Sequence, residues 1–148
     1  MTFSLALDPF NQLARRLQSD DLPGAALANA GEELRTLIDL GFEAEADPWG
    51  TPWEPLSNRT LKARRGDDAA ILNDTGQLRA SISVGQPSGD GLEVGAYDTP
   101  YAATHQFGRD AIPARPFLPI RDGEVDLPDD WQEDITAAFV DALEAELS

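Results

Sequence analysis

The chain has no cysteine, a single histidine and few basic residues, and each shortage excludes a class of chemistry. Without cysteine it can form no disulfide, no thiolate nucleophile and no cysteine-ligated zinc site. No apolar run approaches the roughly 20 residues that span a bilayer, so we expect no membrane partner. Eleven Lys and Arg against 27 Asp and Glu give a net charge of −16, which disfavours binding to nucleic-acid phosphates.

The charge is distributed unevenly along the chain. Four of the basic residues fall between Arg59 and Arg65, and Asp67 and Asp68 follow directly. A nucleic-acid interface normally extends along a whole face, so we interpret this cluster as a solvated segment. After Arg121 there are ten acids and no basic residue.

Motifs for catalysis are missing. His105, the only candidate base, lies in a short amphipathic segment and is interpreted as structural. The chain contains no nucleophile elbow, phosphate-binding loop or dinucleotide fingerprint. Asp122, Glu124 and Asp126 alternate around Gly123 but lack the length and closing glutamate of a calcium loop. We therefore predict no enzyme, no cofactor and no metal. A small hydrolase using an acid pair is an alternative without a motif behind it.

Apolar residues at helical spacing predict helices at both ends of the chain. In the helical region 8–46, Asp8 caps a first helix, and a second runs from about Leu22 to Ala46. The C-terminal helix, 127–147, begins with proline and two acids, as the helix dipole favours. The apolar stripe of the second helix comprises Leu27, Ala30, Leu34, Leu37, Ile38 and Phe42, and that of the last helix Trp131, Ile135, Ala138, Phe139, Ala142 and Leu143.

Proline, tryptophan and alternating patterns fill the middle of the chain. Residues 47–56 form a Pro/Trp loop, and residues 71–120 form the core of the sheet and an arm. Asp74 or Thr75 caps a short helical turn there. The alternating runs 79–84 and 92–96 predict an antiparallel hairpin. Its buried face comprises Ile82, Val84, Leu92 and Val94.

Two further elements precede the C-terminal helix. Residues 101–107 predict a short helix that ends at Gly108. Three prolines make residues 112–120 an extended arm or an edge strand. We expect one α+β domain over residues 1–148, in which a small antiparallel sheet or hairpin packs with two N-terminal helices and a C-terminal helix.

Four segments together resemble the phage virion morphogenesis, or tail completion, family, which includes proteins of P2-like and Mu-like phages. The segments are Trp53–Leu56, Ile71–Ile82, Tyr101–Gly108 and Ile112–Leu118, and they span roughly Trp49 to Ile120. The chain departs from the family at Pro119, where a glycine often follows Phe-Leu.

The resemblance implies a structural, non-enzymatic virion protein of a tailed bacteriophage. It implies a tail completion or terminator subunit that forms a ring, commonly of six copies, at the head–tail junction or neck. The implied partners are further copies of the chain, tail tube or sheath proteins and the head–tail connector. DNA would pass through the channel without specific binding. The implied location is the tail or neck of the virion, after assembly in the host cytoplasm.

Aromatic and polar residues around the arm are the candidate interface. Arg115 could donate a bidentate hydrogen bond to an acid within the subunit or across the ring. Internal packing is the alternative role for the aromatic residues. The full candidate set is Trp53, Tyr101, His105, Gln106, Phe107, Arg115, Pro116 and Phe117. A different class of function is an acidic DNA mimic that inhibits a host DNA-binding protein; the net charge motivates it.

Overall fold

A computed structural model describes residues 2–5, 24–55, 77–85, 92–96 and 101–147. The helix predicted from Asp8, the basic cluster between Arg59 and Arg65, and the predicted caps Asp74 and Thr75 lie outside these residues. The described ranges form an α+β fold, as predicted. Its elements are β1 (Thr2–Leu5), α1 (Gly24–Ala44), α2 (Gln77–Ala80), β2 (Ile82–Gly85), β3 (Leu92–Ala96), α3 (Ala102–Phe107), β4 (Ile120–Arg121), β5 (Glu124–Val125) and α4 (Asp129–Leu147).

The chain divides into two compact units. One comprises Thr2–Leu37, Ser83–Gly95 and Leu127–Ser148, and we call it the sheet unit. The other comprises Ile38–Ile82 and Ala96–Asp126, and we call it the arm unit.

The sheet unit contains most of a three-stranded sheet with the order β1-β3-β2. The two strands predicted as a hairpin are therefore confirmed as neighbours. Strand β1, which was not predicted, pairs antiparallel with β3, and its Phe3 and Leu5 lie opposite Val94 and Leu92. Leu92 and Val94 are buried, as the alternation predicted.

Helices α1 and α4 supply the rest of the core of the sheet unit. Trp131, Ile135 and Phe139 of the predicted stripe of α4 are buried, and Ala138, Ala142 and Leu143 are half-buried. The Asn29 side chain donates a hydrogen bond to the carbonyl of Ala138 at 2.7 Å. Gly31 lies against the sheet, where an added Cβ would be 3.1 Å from Cγ1 of Val84. A side chain at this position would therefore press on Val84, which would have to shift by a few tenths of an ångström. The buried residues of α1 in this unit are Ala26, Leu27, Ala30 and Leu34.

The arm unit begins with the last turns of α1 and a tightly closed loop. Glu45 adopts φ 54° beyond the helix, and the amide of Ala46 donates to the carbonyl of Gly41. The Asp47 carboxylate then accepts hydrogen bonds from the amides of Trp49 and Thr51. One aspartate side chain therefore closes the predicted Pro/Trp loop by accepting hydrogen bonds from two backbone amides of its turn.

Two elements of the arm unit differ from the sequence prediction. The strand expected from Arg79 starts only at Ile82, because α2 continues to Ala80 and the amide of Ser81 still donates to the carbonyl of Leu78. The acid-rich run after Arg121, for which no element was predicted, is a hairpin, β4–β5. Asp122 and Gly123 make its turn with φ values of 55° and 79°, as mirror-image hairpin turns require.

Candidate functional site

Gln106 binds the backbone of the arm, which we define as residues 113–119. Its side chain is 1 % exposed and comes from α3. Oε1 accepts hydrogen bonds from the amides of Phe117 and Leu118, at 3.1 and 2.9 Å. Nε2 donates to the carbonyls of Leu118 and Ile120, at 2.9 and 3.1 Å. All four bonding positions of the amide group are thereby used.

The sequence of the arm explains why it needs such a partner. Pro113, Pro116 and Pro119 have no amide hydrogen, so the arm cannot form the ladder of an ordinary strand. A buried backbone group without a partner costs about 1–3 kcal/mol. The Gln106 side chain supplies the hydrogen-bond donors and acceptors that a neighbouring strand would supply in an ordinary sheet. The arm forms no strand over residues 113–119, and Gln106 already uses the amides of Phe117 and Leu118, so these do not offer a free edge to another strand.

Arg115 ties the arm to the Pro/Trp loop. The side chain is 7 % exposed. Nε donates to the carbonyl of Glu54 at 2.8 Å, and Nη2 donates to that of Pro55 at 3.1 Å. The backbone amide of Arg115 donates to the carbonyl of His105 at 2.7 Å. The guanidinium therefore bonds two consecutive carbonyls through a fork. A bond from Arg115 to an acid within the subunit or across the ring stays a prediction.

An aromatic cluster fills the space between the arm, the loop and the end of α1. Nε1 of Trp53 donates to the carbonyl of Pro116 at 2.7 Å. The ring of Phe42 meets that of Trp53 edge to face, with centroids 5.5 Å apart, and meets that of Phe117 at 5.7 Å. Trp53 and Phe117 are buried. Their rings therefore fix the arm by packing as well as by hydrogen bonding.

Arg79 covers one side of this cluster and is itself held by two acids. Its guanidinium lies 5.9 Å from the centroid of Phe42. Nε donates to Asp39 at 3.1 Å, and Nη2 donates to Glu43 at 3.2 Å. Partial burial lowers the pKa of Arg79, but the hydrogen bonds to Glu43 and Asp39, together with their charges, outweigh it and raise the pKa above its usual value. Arg79 is positively charged at every working pH.

A second cation–aromatic contact fixes the β4–β5 hairpin. The guanidinium of Arg121 lies 3.7 Å from the centroid of a Trp49 ring. Nε1 of Trp49 donates to the carbonyl of Asp126 at 3.0 Å. The hairpin and the Pro/Trp loop are therefore joined through a ring face and the N–H group of one indole.

The turn before the arm, residues 107–112, is tightly built, and we call it the tip. Gly108 adopts φ 77°, and a Cβ there would lie 2.9 Å from the amide nitrogen of Ala114, so only glycine fits. Arg109 and Ile112 exchange two backbone hydrogen bonds around Asp110, whose φ is 51°. This rigid turn holds Phe107 50 % exposed and Ile112 45 % exposed.

The structure brings the eight predicted interface residues together in the arm unit, but with different exposure. Trp53, Gln106, Arg115 and Phe117 are buried within the unit and hold the arm. His105 and Pro116 are half-buried, and only Tyr101 and Phe107 are exposed. The internal-packing alternative therefore describes Phe117 but not Phe107. That any of the eight contacts a partner stays a prediction.

Several residues of the site were not singled out from the sequence. Phe42 belongs to the predicted stripe of α1, yet nothing local indicates that its ring meets the arm. Asp47 accepts hydrogen bonds from backbone amides, and no sequence pattern shows such contacts. Trp49 and Arg121 contact each other although they lie far apart in the sequence. Ile112 was counted as part of the extended arm, while its place in a closed turn with Arg109 was missed.

Among the described residues, no three His, Asp or Glu side chains are grouped so that they could hold a metal ion. None of the helices in these ranges is long and apolar enough to cross a membrane. What the site consists of is a proline-rich segment fixed by polar and aromatic side chains, with an apolar turn at its start.

A comparison with protein families identifies the family of the chain. The model of the phage virion morphogenesis family matches residues 6–135. The chain belongs to the phage virion morphogenesis family, as its sequence motifs predicted. Its role therefore lies in building phage virions, which points to a structural and not a catalytic function. Neither the curated proteins nor the solved structures contain a significant match.

Proposed function

We propose that the chain is a tail completion or terminator subunit that forms a ring at the head–tail junction of the virion, around the DNA channel. The observation that carries this proposal is the arm fixed by Gln106 with the exposed tip at its start. Membership of a virion morphogenesis family supplies the setting. An arm that is already ordered loses little entropy when a partner binds it.

Ring formation requires two different surfaces that fit each other. A ring is built from head-to-tail contacts, so each subunit must present two complementary patches. The chain has the charge asymmetry for this, since basic residues cluster between Arg59 and Arg65 and only acids follow Arg121. The family resemblance suggests six copies, and connector and tail tube or sheath proteins as neighbours.

The acidity of the chain suits a position beside passing DNA. A lumen lined by carboxylates repels phosphates, so the genome would slide through without binding. The exposed acids of α4, including Glu133, Asp141 and Glu144, are the candidates for such a lining. An outward-facing α4 in the assembled ring would contradict this orientation while leaving the ring itself intact.

The test is to measure the assembly and its place in the virion. Native mass spectrometry and negative-stain microscopy of the purified full chain should reveal closed rings. Phage that lack the protein should accumulate separate heads and tails, and tagged protein should label the junction in complete virions. A chain that is monomeric at high concentration and binds neither connector nor tail tube would overturn the proposal.

The acidic DNA mimic is the competing function, and it rests on the net charge of −16 alone. It predicts a protein that inhibits a host nuclease or repressor without entering the virion. Inhibition combined with absence from purified particles would favour it. Labelling of the junction would exclude it as the main role.

A further inference from the structure

The two outer strands of the three-stranded sheet lack, in their sequences, the features that normally block pairing with another strand. In the order β1-β3-β2, no described residue continues the sheet beyond β1 or β2. Natural edge strands are usually shielded by charged side chains or proline. Thr2–Leu5 and Ile82–Gly85 contain neither, although 26 % of the chain is charged. Ser83 and Gly85 are exposed, so β2 presents an unshielded edge.

The other extended segments of the described ranges are shielded. Strands β4 and β5 have two residues each and carry the charged Arg121 and Glu124. In the arm, prolines remove amides, and Gln106 binds those of Phe117 and Leu118. Within the part of the chain that the structure describes, the candidates for strand pairing are therefore the outer edges of β1 and β2.

The two edge strands run in the same direction. Strand β1 is antiparallel to β3. Only residues 86–91 connect β2 to β3, and neighbouring strands joined by so short a segment are antiparallel, since a parallel crossover takes about a dozen residues or more. If a second copy continues the sheet, its β1 follows β2 of the first copy and runs parallel to it. The two edges are different surfaces, so such a contact is head-to-tail, as a ring requires.

The alternation of residues along the two edge strands also matches. Positions 3 and 5 of β1 lie opposite the buried positions 94 and 92 of β3, which places them on the buried face of the sheet. In β2, Ile82 is buried and Ser83 is exposed, so positions 82 and 84 belong to that same face. Side by side, the two strands would have apolar residues on one face and Ser4 and Ser83 on the other. A slip by one residue would remove this match, so the pattern specifies the register.

We infer that β2 of one copy pairs in parallel with β1 of the next copy, so that the sheets of adjacent copies form one continuous sheet. In such strand addition, main-chain hydrogen bonds supply affinity and the alternating side chains supply specificity. Contact through uncharged strands also brings two copies together where like charges do not meet, which matters in a chain with a net charge of −16. The inference rests on the proposed function, because it describes the contact between neighbours in the proposed ring.

Disulfide crosslinking tests this contact, because the chain has no cysteine. The full-length variant Ser4→Cys/Ser83→Cys carries one cysteine on each edge. Within one copy these positions are separated by at least two strand spacings, about 10 Å, whereas a disulfide needs Cα atoms within about 7 Å. Mild oxidation should therefore link different copies and give a ladder of bands on a denaturing, non-reducing gel. The ladder should end at the copy number of the ring.

Three further variants control for unspecific crosslinking. Ser4→Cys alone and Ser83→Cys alone should each give no crosslinked dimer. Leu40→Cys/Ser83→Cys is the matched control, since Leu40 is 53 % exposed on α1 and lies outside both edges, and it should give no ladder. Circular dichroism and native mass spectrometry verify that every variant folds and assembles like the unmodified chain.

Hydrogen exchange of the unmodified protein tests the same contact without any substitution. Exchange is compared at concentrations above and below those at which the chain assembles. Peptides containing residues 82–85 should exchange at least about tenfold more slowly in the assembly, because new main-chain hydrogen bonds protect their amides. Peptides from β3 are the internal control. This strand has a neighbour on both sides within each copy, so assembly should change its exchange little.

The outcomes separate this inference from the proposed ring. Rings without a crosslink between positions 4 and 83, or without slower exchange in β2, would overturn the strand pairing and leave the ring standing. A crosslink of Ser83→Cys with itself would also overturn it, since two β2 edges would then meet in a symmetric contact. A chain that does not self-associate would overturn both.

Discussion

The sheet unit and the arm unit are stabilised by different means. In the sheet unit, the helices and β3 bury periodic apolar side chains, among them Leu34, Val94 and Phe139. In the arm unit, Gln106 and Arg115 hold backbone groups of segments that prolines have deprived of partners. Burial depends on area and tolerates substitution by similar side chains, whereas side-chain-to-backbone bonds depend on individual atoms. The two units should therefore fail in different ways when mutated.

The largest effect is expected in the sheet unit, from Phe139→Ala. Phe139 is 1 % exposed, and truncating a buried phenylalanine removes its transfer energy and leaves a cavity. We expect a loss of about 4 kcal/mol in the free energy of unfolding, measured by urea denaturation. Gln132→Ala, at an exposed position of the same helix, should change it by less than about 0.5 kcal/mol. A loss below about 1 kcal/mol for Phe139→Ala would show that the helix is not part of a packed core.

Gln106→Leu should produce a smaller loss that is confined to the arm unit. Leucine is similar in size but cannot bond the amides of Phe117 and Leu118 or the two carbonyls that Gln106 now contacts. We expect about 3 kcal/mol of destabilisation, because several buried backbone groups lose their partners. Hydrogen exchange mass spectrometry should report faster exchange in peptides containing residues 117 and 118. Phe139→Met is the matched control, since it keeps an apolar side chain in the sheet unit and should leave exchange in those peptides unchanged.

Equal acceleration of exchange across α4 in the Gln106→Leu protein would contradict the distinction between the units. Exchange unchanged at residues 117 and 118 would show instead that the arm is held by its aromatic packing and not by the glutamine.

Arg115→Lys probes geometry at constant charge. The guanidinium reaches two consecutive carbonyls through a fork, which one ammonium group cannot match. We expect about 1.5 kcal/mol of destabilisation in urea denaturation, corresponding to one lost charged hydrogen bond. Arg109→Lys, at an exposed position of the tip, should have no measurable effect on unfolding. Equal stability of the two variants would mean that only the charge of Arg115 matters.

The difference between periodic burial in the sheet unit and individual hydrogen bonds in the arm unit also explains how far the sequence could predict the structure. Apolar spacing predicted α1, α4 and the buried side chains of β3, because burial follows a period that is visible locally. Gly108 as the end of α3 was also predicted correctly. The contacts of the arm were not, since Trp53 and Pro116 are 63 residues apart and are joined by a single hydrogen bond.

Two elements carried local signals that were overlooked. Thr2–Leu5 alternates polar and apolar residues, as a strand does, and is β1. The dipeptide Asp122-Gly123 is a hairpin signal at the turn between β4 and β5, but it was interpreted only as part of an acidic run. The predicted interface was recognised as a region, while the division into buried supports and an exposed tip required the three-dimensional contacts.

The smallest effect is expected from Asp39→Asn. Whether it lowers or raises the free energy of unfolding matters more than the size of the change. In a chain with net charge −16, removing an acid ordinarily relieves repulsion and is neutral or slightly stabilising. Asp39, however, pairs with Arg79, which covers the ring of Phe42 in the arm unit. The pair is about one-third exposed, so we expect a loss of only about 0.5 kcal/mol, measured by urea denaturation at low ionic strength and reduced in about 0.5 M salt. Glu32→Gln, at an exposed position of α1 in the sheet unit, is the matched control and should be neutral or stabilising. If the two substitutions change the free energy of unfolding in opposite directions, the surface charges of the arm unit act through specific partners. If both changes have the same sign, the ion pair of Asp39 with Arg79 contributes no more than a general charge effect.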